Sequence, residues 1–185
     1  MKLRQSLSLL VMAGIFLSVT ACSPSVKEGA LAKPYFDLKG YFLQEAERLS
    51  GESGFSKTVN LDGQVEQQTL DSLNWSTEFQ AFADADINLP AWYDKYSIDS
   101  TFTENGLLSS LRYMVQDSSL NTKIIAINFI AGVPNLIEIE RQSNSPLAQT
   151  YKKLEYKPAT GYTILNKQRL RLAEEKEVLV TVSWE

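Results

Sequence analysis

The apolar positions after residue 33 follow a helical period first and a strand period later. A spacing of three or four residues predicts an amphipathic helix that Pro34 opens and Ser50-Gly51 ends. We expect Gly40, inside this helix, to mark close packing against another element. The apolar face of the predicted helix consists of Tyr35, Leu38, Phe42, Ala46 and Leu49.

A hairpin and a second helix follow. Residues 56–70 contain two strand-like runs joined by Asp62-Gly63, which is a strong signal for a two-residue hairpin turn. Asn74 is placed to cap a short helix, and Asn88-Leu89-Pro90 ends it. The apolar stripe of this helix can line a cavity, although such a stripe more often belongs to a core. It consists of Trp75, Phe79 and Phe82.

From residue 95 onward the apolar period becomes two, and short connections predict antiparallel neighbours. Asn105-Gly106 is a second hairpin signal. The pattern predicts an α+β fold, with two N-terminal helices packed on a curved, meander-like antiparallel sheet that resembles half a barrel. The expected strands span residues 96–102, 107–117, 123–131, 136–142, 147–157, 162–172 and 177–184.

The composition excludes several chemistries. The 185 residues include 18 basic and 22 acidic side chains, so the net charge of −4 argues against a nucleic-acid partner. One cysteine and no histidine exclude an intramolecular disulfide and the usual zinc ligands. The absence of histidine also removes the usual base of a serine hydrolase, and no phosphate-binding glycine motif occurs. We therefore predict a protein that is not an enzyme and has no cofactor or metal.

Three acidic or polar stretches remain as candidate sites. Asn60 and Asp62-Gly63 match part of a calcium-binding loop, but threonine stands where that loop needs carboxylates. Asp84 with Asp86, and Glu138 with Glu140, are the closest carboxylate pairs. A glycosidase needs two such groups across a cleft, and spacing alone does not provide a cleft.

The first 22 residues have the three-part layout of a secretory signal. Two positive charges in residues 1–5 precede an apolar run of 13 residues, 7–19, which is short of the ~20 that span a bilayer. Val19-Thr20-Ala21-Cys22 resembles the lipobox of bacterial lipoproteins. The resemblance implies a signal peptide over residues 1–21, a lipidated cysteine and tether over 22–33, and one globular domain over 34–185.

The same resemblance implies a location. Membership of this class implies cleavage before Cys22 and attachment of acyl chains, which hold the protein on a membrane. Ser23, rather than aspartate, implies the outer membrane, and the lack of an acidic run after Cys22 implies an anchor facing the periplasm. Residues 34–42, PYFDLKGYF, are also similar to uncharacterised lipoproteins of Gram-negative bacteria.

Two functions are open at this point. The predicted architecture resembles that of periplasmic lipoprotein carriers and receptors, which implies a binding module for an apolar ligand or lipid. The alternative is an interaction subunit that docks on another envelope protein through a sheet edge or a basic strand face. A cavity lined by apolar side chains favours the first, and a filled core with an exposed apolar patch favours the second. The basic face would consist of Lys153, Lys157, Lys167, Arg169 and Arg171.

Overall fold

The computed structural model describes residues 33–184, which lie in one compact unit. Its three helices are α1 (Leu38–Leu49), α2 (Trp75–Glu78) and α3 (Gln80–Ala83), followed by a 3-10 turn at Pro90–Trp92. Its nine strands are β1 (Phe55–Leu61), β2 (Gln64–Leu70), β3 (Tyr96–Phe102), β4 (Leu108–Val115), β5 (Thr122–Ile130), β6 (Val133–Asn144), β7 (Ala148–Lys157), β8 (Gly161–Leu170) and β9 (Lys176–Ser183).

All nine strands form one antiparallel sheet in the order β2-β1-β9-β8-β7-β6-β5-β4-β3. Strands β3 to β9 form the predicted meander, and the N-terminal hairpin pairs with the last strand, β9, in a register that joins Ser56 to Ser183. The sheet is open, with β2 and β3 at its two edges. The α+β class is confirmed, but the fold is dominated by the sheet. Within residues 33–184, α1 precedes the first hairpin, and the short α2 and α3 follow it, so the helices flank the hairpin rather than standing together at the N-terminus.

The first helix begins later than predicted. Pro34 does not open it, because the Asp37 carboxylate accepts a hydrogen bond of 2.9 Å from Gly40 N–H and caps a helix that starts at Leu38. A Cβ at Gly40 would meet the capping carboxylate of Asp37, which is its nearest neighbour. The expectation that Gly40 packs against a separate element is therefore wrong.

The second predicted helix is divided into two short ones. Asn74 caps α2 as predicted, since its side-chain oxygen accepts a hydrogen bond of 3.3 Å from Thr77 N–H. Phe79 then leaves the helical region, with φ −89° and ψ 0°, so the chain turns between α2 and α3. This turn keeps Trp75, Phe79 and Phe82 all buried against the sheet.

Both hairpin signals are confirmed as turns, but they differ in length. At the first, Asp62 and Gly63 both have positive φ, 50° and 91°, as a primed two-residue turn requires. The second turn, around Asn105-Gly106, is longer, because Thr103 N–H donates to the Leu107 carbonyl at 2.8 Å and closes a wider loop.

The core lies on one face of the sheet, beneath the three helices. The register places a continuous apolar row across six neighbouring strands, and the aromatic side chains of α1 to α3 cover it. The opposite face carries mostly polar and charged side chains, such as Glu138, Lys153 and Lys167, together with a few apolar ones, such as Leu165 and Leu179. The row consists of Tyr113, Ile125, Ile139, Leu154, Ile164 and Val180.

Candidate functional site

The lipid attachment residue predicted from sequence, Cys22, lies outside the described residues, as do the predicted signal peptide and nearly all of the predicted tether. The structure therefore bears on the domain alone. Within residues 33–184, no helix is both long and apolar enough to cross a membrane.

Aromatic side chains fill the space between the helices and the sheet. Phe42 of α1 lies 4.6 Å from Phe82 of α3 and 5.1 Å from Tyr156 of β7, measured between ring centroids. Phe79 lies 5.3 Å from Tyr156 and 5.9 Å from Tyr162 of β8. All five side chains are buried, so the stripe predicted on the second helix belongs to a packed core.

Two glutamates attach the helices to this core. Glu45 of α1 accepts a short hydrogen bond from the Tyr156 hydroxyl, and Glu78 of α2 accepts one from the Tyr162 hydroxyl. Each carboxylate also has a cation: Arg48 lies 2.8 Å from Glu45, and Lys57 lies 2.6 Å from Glu78. Tyr156 and Tyr162 are direct cross-strand neighbours. We call the two pairs, Glu45–Tyr156 and Glu78–Tyr162, the glutamate–tyrosine clamps.

The clamps hold their tyrosines in the neutral form. Burial, and then the adjacent Glu45, raise the pKa of Tyr156 far above its usual value, and burial and Glu78 do the same for Tyr162. A phenol held neutral and already donating to a carboxylate is neither a nucleophile nor a free acid at neutral pH. The clamps are structural, and their long sequence separation explains why the sequence did not indicate them.

The predicted carboxylate pairs also have structural partners. Asp86 accepts hydrogen bonds from Lys39 N–H at 2.9 Å and Asn88 N–H at 2.7 Å, so it supports the start of α1. Asp84 accepts a hydrogen bond from the Gln80 side chain at 2.6 Å. Glu138, of the second predicted pair, lies 3.6 Å from Lys153. Within residues 33–184 no group of three acidic, histidine or cysteine side chains is placed to hold a metal ion.

The residues of the predicted calcium-loop match serve the first hairpin. Asn60 accepts a hydrogen bond from Gly63 N–H at 2.9 Å, and the Asp62 carboxylate accepts one from Glu177 N–H at 2.8 Å. These oxygens therefore fix the turn and join it to β9.

The basic strand face is neutralised by glutamates. Lys157 lies 2.7 Å from Glu155, and Lys167 lies 2.6 Å from Glu177. Lys153 is paired with Glu138 at 3.6 Å and Arg169 with Glu175 at 2.7 Å, whereas Arg171, just beyond the end of β8, forms no ion pair within residues 33–184. A face on which acids alternate with bases has little net attraction for an anionic partner.

A shallow groove runs between α1 and the α2–α3 pair. Its volume is about 220 Å³, and Phe42 and Phe79 lie beneath it. Leu43 lines its rim and is largely exposed. Its polar ends are formed by Lys39, Ser76, Gln80 and Asp84.

The edge strand β3 has unpaired backbone groups. Gln116 N–H donates to the Lys95 carbonyl at 2.8 Å, so Lys95 and Gln116 form a hydrogen-bonded pair of the β3–β4 ladder. Because bonded and non-bonded pairs alternate in an antiparallel ladder, Tyr96, Ile98 and Ser100 direct their N–H and C=O groups away from β4. No other described strand lies on that side.

An exposed apolar row begins at the end of this edge. Phe102 of β3 pairs with Leu108 at the start of β4, and Ile130 at the end of β5 pairs with Val133 of β6. The exposed fractions of Phe102, Ile130 and Val133 are 62%, 66% and 63%. We call Phe102, Leu108, Ile130 and Val133 the apolar row. The sequence alone does not indicate this row, because each of its residues stands next to a turn, where single apolar residues are common.

Comparisons with protein-family models, with curated proteins and with solved structures found no match for this chain.

Proposed function

We propose that this protein is a lipid-anchored, non-enzymatic interaction subunit of the cell envelope that docks on another envelope protein. The docking surface is the free edge of β3 together with the apolar row. The observation that carries the proposal is the coincidence, on β3, of unpaired backbone groups with the exposed side chains of Ile98 and Phe102. The filled interface between helices and sheet favours this function over a carrier, whose ligand would occupy that interface.

The occupant that suits this edge is an extended segment of the partner, added as a further strand. Tyr96, Ile98 and Ser100 present alternating donors and acceptors, which another extended backbone satisfies in register. Ile98 is 53% exposed and lies on the same strand as Phe102, so a partner strand with alternating apolar residues would cover both.

The apolar row would supply most of the binding free energy. Burying a Phe, Ile or Val side chain that is now largely exposed contributes about 1.5–3 kcal/mol when the burial is complete. Phe102 is such a side chain on β3 itself, and Ile130 and Val133, on β5 and β6, would be buried only where the partner also extends over the sheet. The opposite edge, β2, has only one exposed large apolar side chain, Val65, among polar neighbours, and serves as an internal control.

We also propose that the sheet curves like half a barrel, as expected from the sequence. Phe55 on β1 and Tyr96 on β3 are both buried in one core, although seven strand spacings of ~4.8 Å separate these strands, which makes about 34 Å along a flat sheet. A helix is only ~10–12 Å wide. A sheet that curves around the helices explains how three short helical segments cover both residues.

The anchor and the location are proposed from the sequence. Acyl chains on Cys22 would hold the protein on the outer membrane, facing the periplasm, and residues 22–33 would tether the domain. Two acyl chains give stable anchoring where one is marginal. Tethering confines the domain near its partner and so raises the effective concentration of the docking edge.

Position-specific photocrosslinking in intact cells tests the docking surface. A benzophenone side chain replaces Phe102 in the full-length chain, and a matched variant replaces Gln67 on the opposite edge. We expect one discrete product from position 102 and none from position 67. Equal products from both edges, or a product of twice the chain's mass, would contradict docking of a different protein at β3.

A second candidate function rests on the groove between α1 and the α2–α3 pair. Its apolar floor can hold a small apolar ligand, although about 220 Å³ is below the ~300–1,000 Å³ of typical ligand pockets. Native mass spectrometry of residues 23–185, followed by organic extraction, tests it. A stoichiometric apolar ligand would support a carrier or sensor, and a clean protein mass would count against one.

A further inference from the structure

A second surface, separate from the β3 edge, contains two cations without acidic partners. Arg141 of β6 stands directly opposite Lys152 of β7, and Lys152 stands opposite Asn166 of β8. Each of these residues lies two positions along its strand from the buried row of Ile139, Leu154 and Ile164. The three therefore share the helix-side face with that row.

The polar atoms of this row are not satisfied by the described residues. Arg141 Nε, a donor, is buried and has no hydrogen-bond partner within residues 33–184; Asn166 Oδ1 is also unpartnered there, but it is an acceptor and lies outside the cavity described below. Neither Arg141 nor Lys152 forms an ion pair with any acidic side chain of that part of the chain. Buried polar atoms of this kind usually indicate a missing partner, such as a bound ion or water.

The charge arrangement points to an anion. Like charges placed directly opposite each other on neighbouring strands destabilise a sheet, so the Arg141–Lys152 pair needs a counter-charge. The other face shows the contrast, because Lys153 has a glutamate within 4 Å. Lys152 and Lys153 are consecutive, yet only the one on the helix-side face lacks an acid.

A cavity lies beside the two cations. Its volume is about 180 Å³, several times the ~30 Å³ that one water occupies in the liquid, and no carboxylate lines it. Besides the cations, Ser143 and Thr150 bring hydroxyl groups to it. A guanidinium, an ammonium and hydroxyls are the donors that proteins use for phosphate.

We propose that Arg141 and Lys152 bind a phosphate group in this cavity, either as free phosphate or as the head group of a lipid. Arg141 supplies a planar fork of donors, Lys152 a point charge, and Ser143 and Thr150 additional hydrogen bonds. This site goes beyond the proposed docking function and does not depend on it, because it lies on β6 and β7 and uses no residue of the β3 edge.

Calorimetric titration tests the site with full-length protein purified in a neutral detergent. The probes are inorganic phosphate, and glycerol 3-phosphate as a head-group mimic, at constant ionic strength. The variants are R141Q and K152Q, with K153Q as the matched control of equal charge change. We expect one saturable site that weakens by about tenfold or more in R141Q and K152Q and changes less than twofold in K153Q.

The two probes identify the source of the phosphate. Tighter binding of glycerol 3-phosphate assigns the site to a lipid head group, and tighter binding of inorganic phosphate assigns it to the free ion. No saturable binding of either probe, or an equal loss in K152Q and K153Q, would overturn the proposal.

Thermal melting gives a readout that misfolding cannot imitate. Without phosphate, K152Q should melt at or above the wild-type temperature, because one of two opposed like charges is removed. Phosphate should raise the melting temperature of the wild type and of K153Q but not that of K152Q. Equal shifts in all three proteins would overturn the assignment.

Discussion

Replacing Tyr156 by phenylalanine removes one glutamate–tyrosine clamp and leaves the ring in place. Glu45 keeps its ion pair with Arg48 at 2.8 Å but loses the hydroxyl that donates to it. A hydrogen bond to a charged group contributes about 1.5–3 kcal/mol to stability, and only 13% of the Glu45 side chain is exposed to water that can replace it. We therefore expect Tyr156→Phe to lower the free energy of unfolding by about 2 kcal/mol.

Equilibrium denaturation in urea, followed by tryptophan fluorescence, measures this loss, and the melting temperature should fall by roughly 4–8 °C. Tyr162→Phe should behave similarly, because Glu78 has a comparable environment. Tyr151→Phe is the matched control, since Tyr151 lies on the other face of the same strand and makes no side-chain hydrogen bond within residues 33–184. If Tyr156→Phe costs less than about 0.5 kcal/mol, like an ordinary surface change, the clamp does not stabilise the fold.

Three further predictions concern the core, alkaline pH and the anchor. Phe42→Ala should cost about 3–5 kcal/mol in urea denaturation, and Leu43→Ala, its exposed neighbour, less than about 0.5 kcal/mol; similar losses would contradict the assigned helix face. Burial and the adjacent glutamates raise the pKa values of Tyr156 and Tyr162, so their contribution is present below pH ~10 and is lost as pH rises further, because the unfolded chain ionises first. The urea midpoint should therefore fall steadily above pH 10, and a flat midpoint would contradict this. Cys22→Ser should move the protein from the membrane fraction to the soluble fraction in cell fractionation, and unchanged membrane association would refute lipidation at this residue.

Local patterns predicted the local features of the fold. The helical period placed Leu38, Phe42 and Leu49 on a buried face, as the structure confirms. Asp62-Gly63 predicted the first hairpin because few other residue pairs adopt its positive φ values. The start of α1 was misplaced, because Pro34 tolerates a first turn but the Asp37 carboxylate offers a stronger cap.

Contacts between distant segments were outside the reach of these patterns. The pairing of β1 with β9 joins Leu61 to Val178, and no local period encodes which strand covers a free edge. The clamps join residues 111 and 84 positions apart in the chain. Phe79 also interrupts the second helix against its local pattern, because the break lets the rings on both sides of it reach the sheet.

The candidate surfaces depend on the same long-range register. The basic strand face was visible as an alternation of Lys167, Arg169 and Arg171, but the glutamates that neutralise it come from other positions of the sheet and its loops. Arg141 and Lys152 become neighbours only through the pairing of β6 with β7.

The most direct test of docking through β3 is a proline at its outward-facing edge. Ser100→Pro removes an N–H that points away from β4 and leaves the β3–β4 hydrogen bonds intact, and Ser100→Ala is the matched control. Each substitution is combined with the photoreactive side chain at position 102, and the yield of the crosslinked product is measured in intact cells. Docking by strand addition predicts that the product is lost with proline and kept with alanine. An equal yield in both variants would contradict it.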